Sequence, residues 1–153
     1  MLTVRNATIG DATMLYEWRN DPATRFSSRN SDQILLESHI AWLTATLANP
    51  VRQLLIAEIN GVPVGTVRVD EELSGNAELS WTVAPSARGR GIAKKMVRLV
   101  ADQVSETLSL RAEVKAGNES SIKVALAANM QLMREVDGVL HFFRPSSRLP
   151  KIL

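Results

Sequence analysis

The residues most able to do chemistry lie together in Arg88-Gly89-Arg90-Gly91-Ile92-Ala93-Lys94. Two glycines leave backbone N–H groups bare, and Arg88, Arg90, Lys94 and Lys95 surround them with cations. Upstream, Leu79 to Val83 reads as a strand, which Pro85 ends because proline has no N–H to give a ladder. Downstream, Ile92, Met96, Leu99 and Val100 recur at helical spacing. A strand, a glycine loop and a helix start aim several N–H groups and the positive end of a helix dipole at one point. That combination is a seat for phosphate.

The kind of phosphate ligand follows from what the loop lacks. No Gly-x-x-x-x-Gly-Lys-Ser/Thr occurs, so the nucleoside-triphosphate loop is absent. The dinucleotide fingerprint is nearly met by Gly89-Arg90-Gly91, with Glu113 at about the 20-residue spacing expected of the ribose acid. Lys94, however, stands where that fingerprint needs a third glycine or alanine for close helix–strand packing. A nicotinamide oxidoreductase also needs an opening β-α-β unit, and the antiparallel meander predicted before the loop argues against one.

Arg88-Gly89-Arg90-Gly91-Ile92-Ala93 resembles the Arg/Gln-x-x-Gly-x-Gly/Ala signature of the GCN5-related N-acetyltransferases, and Trp81-Thr82-Val83-Ala84-Pro85 resembles that family's fourth strand and its Pro turn. The resemblance implies an α/β (α+β) fold: a mixed, mostly antiparallel sheet of about seven strands flanked by four helices. It implies acetyl-CoA as co-substrate, its pyrophosphate seated on Arg88, Gly89, Arg90, Gly91, Ile92, Ala93 and Lys94. Backbone groups of Thr82 and Val83 would hold the pantetheine arm where the fourth and fifth strands splay, and an N–H there would bind the oxyanion. Asn118 and Ser121 match the family's Asn-x-x-Ala/Ser, which contacts the CoA arm; Asn118 could equally cap its helix. Glu78, Val83 and Asn118 are the set implied at the reacting centre. Glu78 shares a strand face with Ser80 and Thr82 by the two-residue period, and would take the amine's proton; a strand carboxylate can also be a plain exposed edge residue. The family's acid is a tyrosine on the helix after the fifth strand. Counting from Asn118 that position is Ala125, and the chain's one tyrosine is Tyr16. The departing thiolate is a tolerable leaving group without help, its thiol pKa being about 8.5.

Trp18-Arg19-Asn20-Asp21-Pro22 with Arg25, followed by His39-Ile-Ala-Trp42, resembles the branch that acetylates UDP-4-amino-4,6-dideoxy sugars in pseudaminic acid synthesis. This implies a nucleotide-linked amino sugar as the small-molecule amine acceptor, with Trp18, Arg19, Arg25, His39 and Ser80 as its contacts. Arginines suit a diphosphate and an indole suits a base or sugar face. Trp18 and Trp42 also sit at core spacing with Leu15 and Leu43. A protein acetyltransferase (ribosomal or N-terminal), a small-amine acetyltransferase and a degenerate acyl-CoA-binding module remain alternatives, the protein acetyltransferase favouring an open, acidic groove.

The elements that must position these groups can be read in order. Leu2 to Ala7 alternates as a strand, and Asp11 caps a helix to about Asn20 with Met14, Leu15 and Trp18 inward. Asp21-Pro22 ends it, and Thr24 to Ser31 reads as a polar loop. A second helix spans Leu36 to Ala48 with Ile40, Leu43 and Leu47 inward. Leu54 to Ile59, Asn60-Gly61 and Val62 to Val69 form a hairpin, and Asn76 to Val83 pairs next. Asp70, Glu71 and Glu72 read as solvated loop charges. After the helix at Ile92 come a strand, Leu110 to Val114, a helix, Glu119 to Ala128, and a closing hairpin, Met130 to Val136 with Val139 to Arg144.

Composition bounds the rest. A chain of 153 residues, 45% hydrophobic and 22% charged, fits one domain over 1–153 with a real core. The absence of cysteine excludes disulfides, zinc–thiolate sites and a cysteine nucleophile, and no metal is expected. A net charge of +2 is too small to argue for nucleic acid. No segment reads as a membrane span or secretory signal, so a cytoplasmic monomer or homodimer is expected.

Overall fold

The computed structural model describes residues 1–28 and 32–148. Among the described residues seven strands form one sheet: β1 (Leu2–Asn6), β2 (Arg52–Ile59), β3 (Val62–Glu71), β4 (Asn76–Val83), β5 (Ser109–Lys115), β6 (Gln131–Val136) and β7 (Val139–Arg144). Their spatial order is β1-β2-β3-β4-β5-β7-β6. Every neighbouring pair is antiparallel except β4 and β5. The β2–β3 and β6–β7 turns are made by Asn60-Gly61 and Asp137-Gly138, all four at positive φ, as tight hairpin turns require.

The helices are α1 (Ala12–Asn20), α2 (Pro22–Ser27), α3 (Leu36–Ala48), α4 (Ile92–Val104) and α5 (Glu119–Ala127). Short 3₁₀ turns, Ile9–Asp11 and Pro85–Ala87, precede α1 and follow β4. The polar loop expected from Thr24 is instead the short helix α2, so among the described residues a fifth, six-residue helix joins the four longer ones expected. Asp21-Pro22 ends one helix and starts the next: Asp21 accepts from the Thr24 N–H, and Pro22 fills the first helical position. The end of that expected loop, residues 29–31, lies outside the described residues. Asp11 stands at the N-cap position of α1 but its carboxylate does not cap that helix as expected, because it is spent on the Thr8 N–H at 2.8 Å and on Arg5.

One face of the sheet is apolar and packs on α4, whose Met96, Val97, Val100 and Ala101 are fully buried. Burial of each of the Met and Val side chains contributes about 1.5–3 kcal/mol. Gly65 permits the close fit, since a Cβ there would meet Met96 Sδ at 2.6 Å and the Thr82 carbonyl oxygen at 2.8 Å. The other face is polar where β3, β4 and β5 adjoin: Arg68 pairs with Ser80, Asp70 with Glu78, and Glu78 with Arg111. There α3 differs from expectation. His39, Leu43 and Thr46 are buried while Ile40 and Leu47 are exposed. The inward stripe is turned by one residue because His39 finds partners for both its ring nitrogens inside.

Candidate active site

β4 and β5 pair only through Asn76–Ser109, Ala77–Leu110 and Glu78–Arg111. β4 continues to Val83 and β5 to Lys115, so Leu79–Val83 and Ala112–Lys115 diverge without bonding each other. The far side of β4 is satisfied by β3, Thr82 opposite Thr66 and Val83 opposite Gly65. The Ala84 N–H donates to the Val64 carbonyl on β3, so by strand alternation the Thr82 backbone groups are spent on β3. It is Val83 that turns its N–H and C=O to the gap, a correction to the expectation that both residues would.

At the open end of β4 the chain turns through Pro85–Ala87 and enters α4 at Gly91, which has φ 70° and no side-chain cap on the helix. Gly89 is also left-handed, and a Cβ on either glycine would meet nothing within 4 Å. These glycines serve conformation rather than packing, leaving the first N–H groups of α4 uncapped and accessible. Ile92 is buried and Ala93 half-buried, so they would face an anion with backbone; Arg90 and Lys94 are exposed. The loop and the gap together fit a diphosphate followed by an extended amide-bearing arm. Arg88 departs from the simple picture. Its Nη2 donates to Asp21 Oδ2 in a very short contact and to Thr24 Oγ1 at 2.9 Å, reaching α2. That hydrogen bond holds the Asp21 carboxyl below its usual range.

Asn118 caps α5: its Oδ1 accepts from the Ser121 N–H at 3.2 Å and from Ser120 Oγ at 3.1 Å. Ala125 is fully buried and brings no hydroxyl. Tyr16, remote in sequence, lines a cleft of about 460 Å³ with Asn20, Asp21, Pro85 and Ser86, beside the turn after β4.

On the polar face Glu78, Ser80 and Thr82 are aligned by register. Glu78 Oε2 lies 3.4 Å from Arg111 Nη1. Arg111 also grips Glu72 through Nε and Nη2, both at 2.8 Å, and Glu113 through Nη1 at 2.8 Å. These contacts keep Arg111 charged and lower the Glu72 carboxyl. Asp70 pairs with Arg68 at 2.9 Å and with Arg52 at 3.5 Å. Asp70 and Glu72, expected as solvated charges, are thus built into the sheet's polar face; Arg68 and Asp70 at two-residue spacing carried that signal.

The helical wall places the other expected contacts. Trp18 is 9% exposed and belongs to the core, so the indole presented on this face is Trp42. Arg19 lies 4.4 Å over the Trp42 ring and Arg68 5.8 Å from it. His39 has no exposed surface; its Nδ1 accepts from Arg19 Nη1 at 3.1 Å and its Nε2–H donates to the Ala12 carbonyl at 3.0 Å. Burial, then the nearby Arg19 charge, lowers its pKa and leaves the ring neutral. His39 therefore holds Arg19 rather than facing solvent. Burial and the neighbouring Arg68 also make Arg19 less basic. Arg25 rides on α2, its Nε buried without a hydrogen-bond partner among the described residues. Among the described residues no group of three or more His, Asp or Glu side chains is placed to hold a metal ion.

Residues 1–131 match the acetyltransferase (GNAT) domain. The chain belongs to the GNAT acetyltransferase family. It is an N-acetyltransferase with acetyl-CoA as co-substrate. The enzyme shares its fold with an aminoglycoside acetyltransferase AAC(6')-Ib in complex with coenzyme A (22% identity, 95% of each chain, TM-score 0.81). It is similar to spermidine N-acetyltransferase from Vibrio cholerae in complex with CoA and spermine (14%, 96% of each chain, TM-score 0.84). A third is ribosomal-protein-alanine N-acetyltransferase from Brucella melitensis (24%, 94% of this chain and 99% of that one, TM-score 0.77). No curated protein sequence matches the enzyme significantly. Among the described residues no helix is long and apolar enough to cross a membrane.

Proposed function

We propose that the enzyme acetylates a primary amine on a small molecule that also carries an anionic group, best fitted by the 4-amino group of a nucleotide-linked amino sugar. The observation that carries this reading is the charge layout of the polar face. Arg19 stacks on Trp42 beside Arg68, and no carboxylate lies within ion-pair distance of Arg19 among the described residues. Two residue pairs along from Arg68, whose guanidinium pairs with Asp70 at 2.9 Å, Glu78 stands at the point where β4 and β5 part. A polycationic acceptor would meet the uncompensated charge of Arg19 with like charge, Arg68 being paired with Asp70. A diphosphate sugar can offer its phosphates to the arginine wall and its amine to Glu78.

The chain's residues divide the work accordingly. The glycine loop and the first N–H groups of α4 bind the pyrophosphate of acetyl-CoA, and the Val83 carbonyl aligns the pantetheine arm while Thr82 holds β4 to β3. Acetyl-CoA supplies a thioester whose thiolate leaves readily. The Val83 N–H, on the unpaired edge of β4, stabilises the oxyanion that forms as the amine attacks; such a donor is worth about 3 kcal/mol in other acyl transfers. Glu78 receives the amine's proton directly or through water. The Asn118 amide meets the CoA arm while its Oδ1 caps α5. Ser80, between Glu78 and Thr82, faces the acceptor. The reaction runs in the cytoplasm, where acetyl-CoA is made.

Kinetics with both substrates varied test the acceptor. Arg25→Ala is expected to raise the acceptor's KM about ten- to a hundredfold, as loss of one charge-assisted hydrogen bond does, and to leave the KM for acetyl-CoA unchanged. Assays on UDP-4-amino sugars, aminoglycosides, polyamines and peptides decide the class. Turnover of the polyamine or aminoglycoside alone would overturn the anionic-acceptor reading.

A further inference from the structure

α2 touches both lips of the gap between β4 and β5. At its N-terminus, Asp21 and Thr24 receive Arg88, which lies just past the end of β4. At its C-terminal end, the Phe26 carbonyl accepts from Lys115 Nζ at 2.9 Å, and Lys115 is the last residue of β5. The Phe26 ring sits 6.0 Å from that ammonium and is 80% exposed. A helix of six residues has little stability of its own, so these two contacts, together with its packing against α1, fix where it lies.

The two attachments differ in kind. Lys115 binds a backbone carbonyl that no part of acetyl-CoA replaces. Arg88 binds a carboxylate, and it is also the first residue of the phosphate-seating signature, with its side chain 41% exposed. A guanidinium shared between a carboxylate and a diphosphate goes to the ligand with more negative charge and more acceptor oxygens. We propose that α2 is a strap pinned to both lips of the gap, and that its Asp21–Arg88 pin is released when a diphosphate enters the glycine loop. This rests on the reading that the loop seats the pyrophosphate of acetyl-CoA. Acyl-donor binding and loosening of the strap are then one event, and the acceptor side opens once the donor is in place. Because coupling is reciprocal, Asp21 opposes donor binding by as much as the donor loosens α2.

The test uses coenzyme A as the probe, with calorimetry and amide hydrogen exchange across residues 22–28. Asp21→Asn keeps a good helix cap and removes the charge. It is expected to bind coenzyme A three- to tenfold more tightly than the parent, and to exchange rapidly across α2 without ligand. In the parent, coenzyme A should accelerate that exchange several-fold. Lys115→Met should accelerate exchange while leaving coenzyme A affinity within twofold. Unchanged or weaker coenzyme A binding by Asp21→Asn overturns the proposal. So does exchange across α2 that coenzyme A slows or leaves alone in the parent, or that Lys115→Met does not alter. Arg88→Ala separates the two levels. If it leaves coenzyme A affinity intact, the loop reading itself has failed; if it weakens binding while Asp21→Asn is neutral, only the strap has.

Discussion

Replacing Glu78 by Gln removes the carboxylate and little else, since the amide is nearly the same size and can still face Arg111. The side chain sits at the last paired position of β4 and β5, 12% exposed and 3.4 Å from Arg111 Nη1. Arg111 is shared with Glu72 and Glu113 at 2.8 Å each, so its attraction for Glu78 is diluted rather than exclusive. An acceptor amine of pKa about 9 is only about 1% unprotonated at pH 7. With Glu78 as base, the productive pair is carboxylate plus ammonium, and kcat/KM stays flat from about pH 6 to the amine's pKa. Without it, the enzyme must wait for free amine. The Gln variant should therefore lose about a hundredfold in kcat/KM at pH 7, rise about tenfold per pH unit, and come within about twofold of the parent by pH 9. The assay is thiol release from acetyl-CoA at fixed donor and varied acceptor, from pH 6 to 9. Tyr16→Phe is the control, expected to leave kcat within a few-fold, because catalysis is assigned to no tyrosine. A Gln variant whose profile parallels the parent's, merely displaced downward, would remove Glu78 as the base.

Other perturbations address other parts of the molecule. Gly91→Asp should abolish acetyl-CoA binding in calorimetry while leaving the fold intact, since a side chain there meets nothing within 4 Å and Asp tolerates left-handed backbone; unchanged binding would mean the loop is misassigned. Gly65→Ala should cost about 1–3 kcal/mol, or very roughly 3–10 °C in Tm, because the Cβ falls 2.8 Å from the Thr82 carbonyl, which is backbone and cannot swing aside; a Tm within 1 °C of the parent would refute that. His39 titrates below its ordinary 6.5 in the folded chain, so between those two values the unfolded state binds more protons. Stability is thus expected to fall as pH drops below about 6.5, a slope that Tm measured against pH should show in the parent and lose in His39→Gln.

Much of the fold was legible because its signals are local. The hairpin turns at Asn60-Gly61 and Asp137-Gly138 need only two residues to declare themselves, and Pro85 with the glycines places the β4–α4 junction within a few positions. α2 was missed because Asp-Pro signals both the end of a helix and the start of another, and only the Arg88 and Lys115 contacts, at sequence separations of 67 and 89, show which applies. The inward face of α3 was misjudged by one residue for a related reason. Apolarity alone favours Ile40 over His39, and the sequence does not say that Arg19 and the Ala12 carbonyl will satisfy a buried imidazole. The same network redirects the site. Trp18 and His39 stand inside, and Trp42 and Arg19 are what they support.

That support explains how a half-buried arginine is kept charged. Burying a guanidinium without a carboxylate is costly. Arg19 offsets the cost with the Nδ1 lone pair of His39 and the face of Trp42, a neutral acceptor and a quadrupole. A carboxylate partner would stabilise Arg19 better and would also cancel its charge. Holding it with neutral groups leaves the positive potential of Arg19 standing although its neighbour Arg68 is paired with Asp70, whereas Glu78, Glu72 and Glu113 gather on Arg111 further along the same face. A site selected for polyamines has no use for an uncancelled arginine. For an acceptor with an amine at one end and phosphates at the other, each half of this face meets its opposite charge, and the acceptor's orientation across β4 follows from that alone.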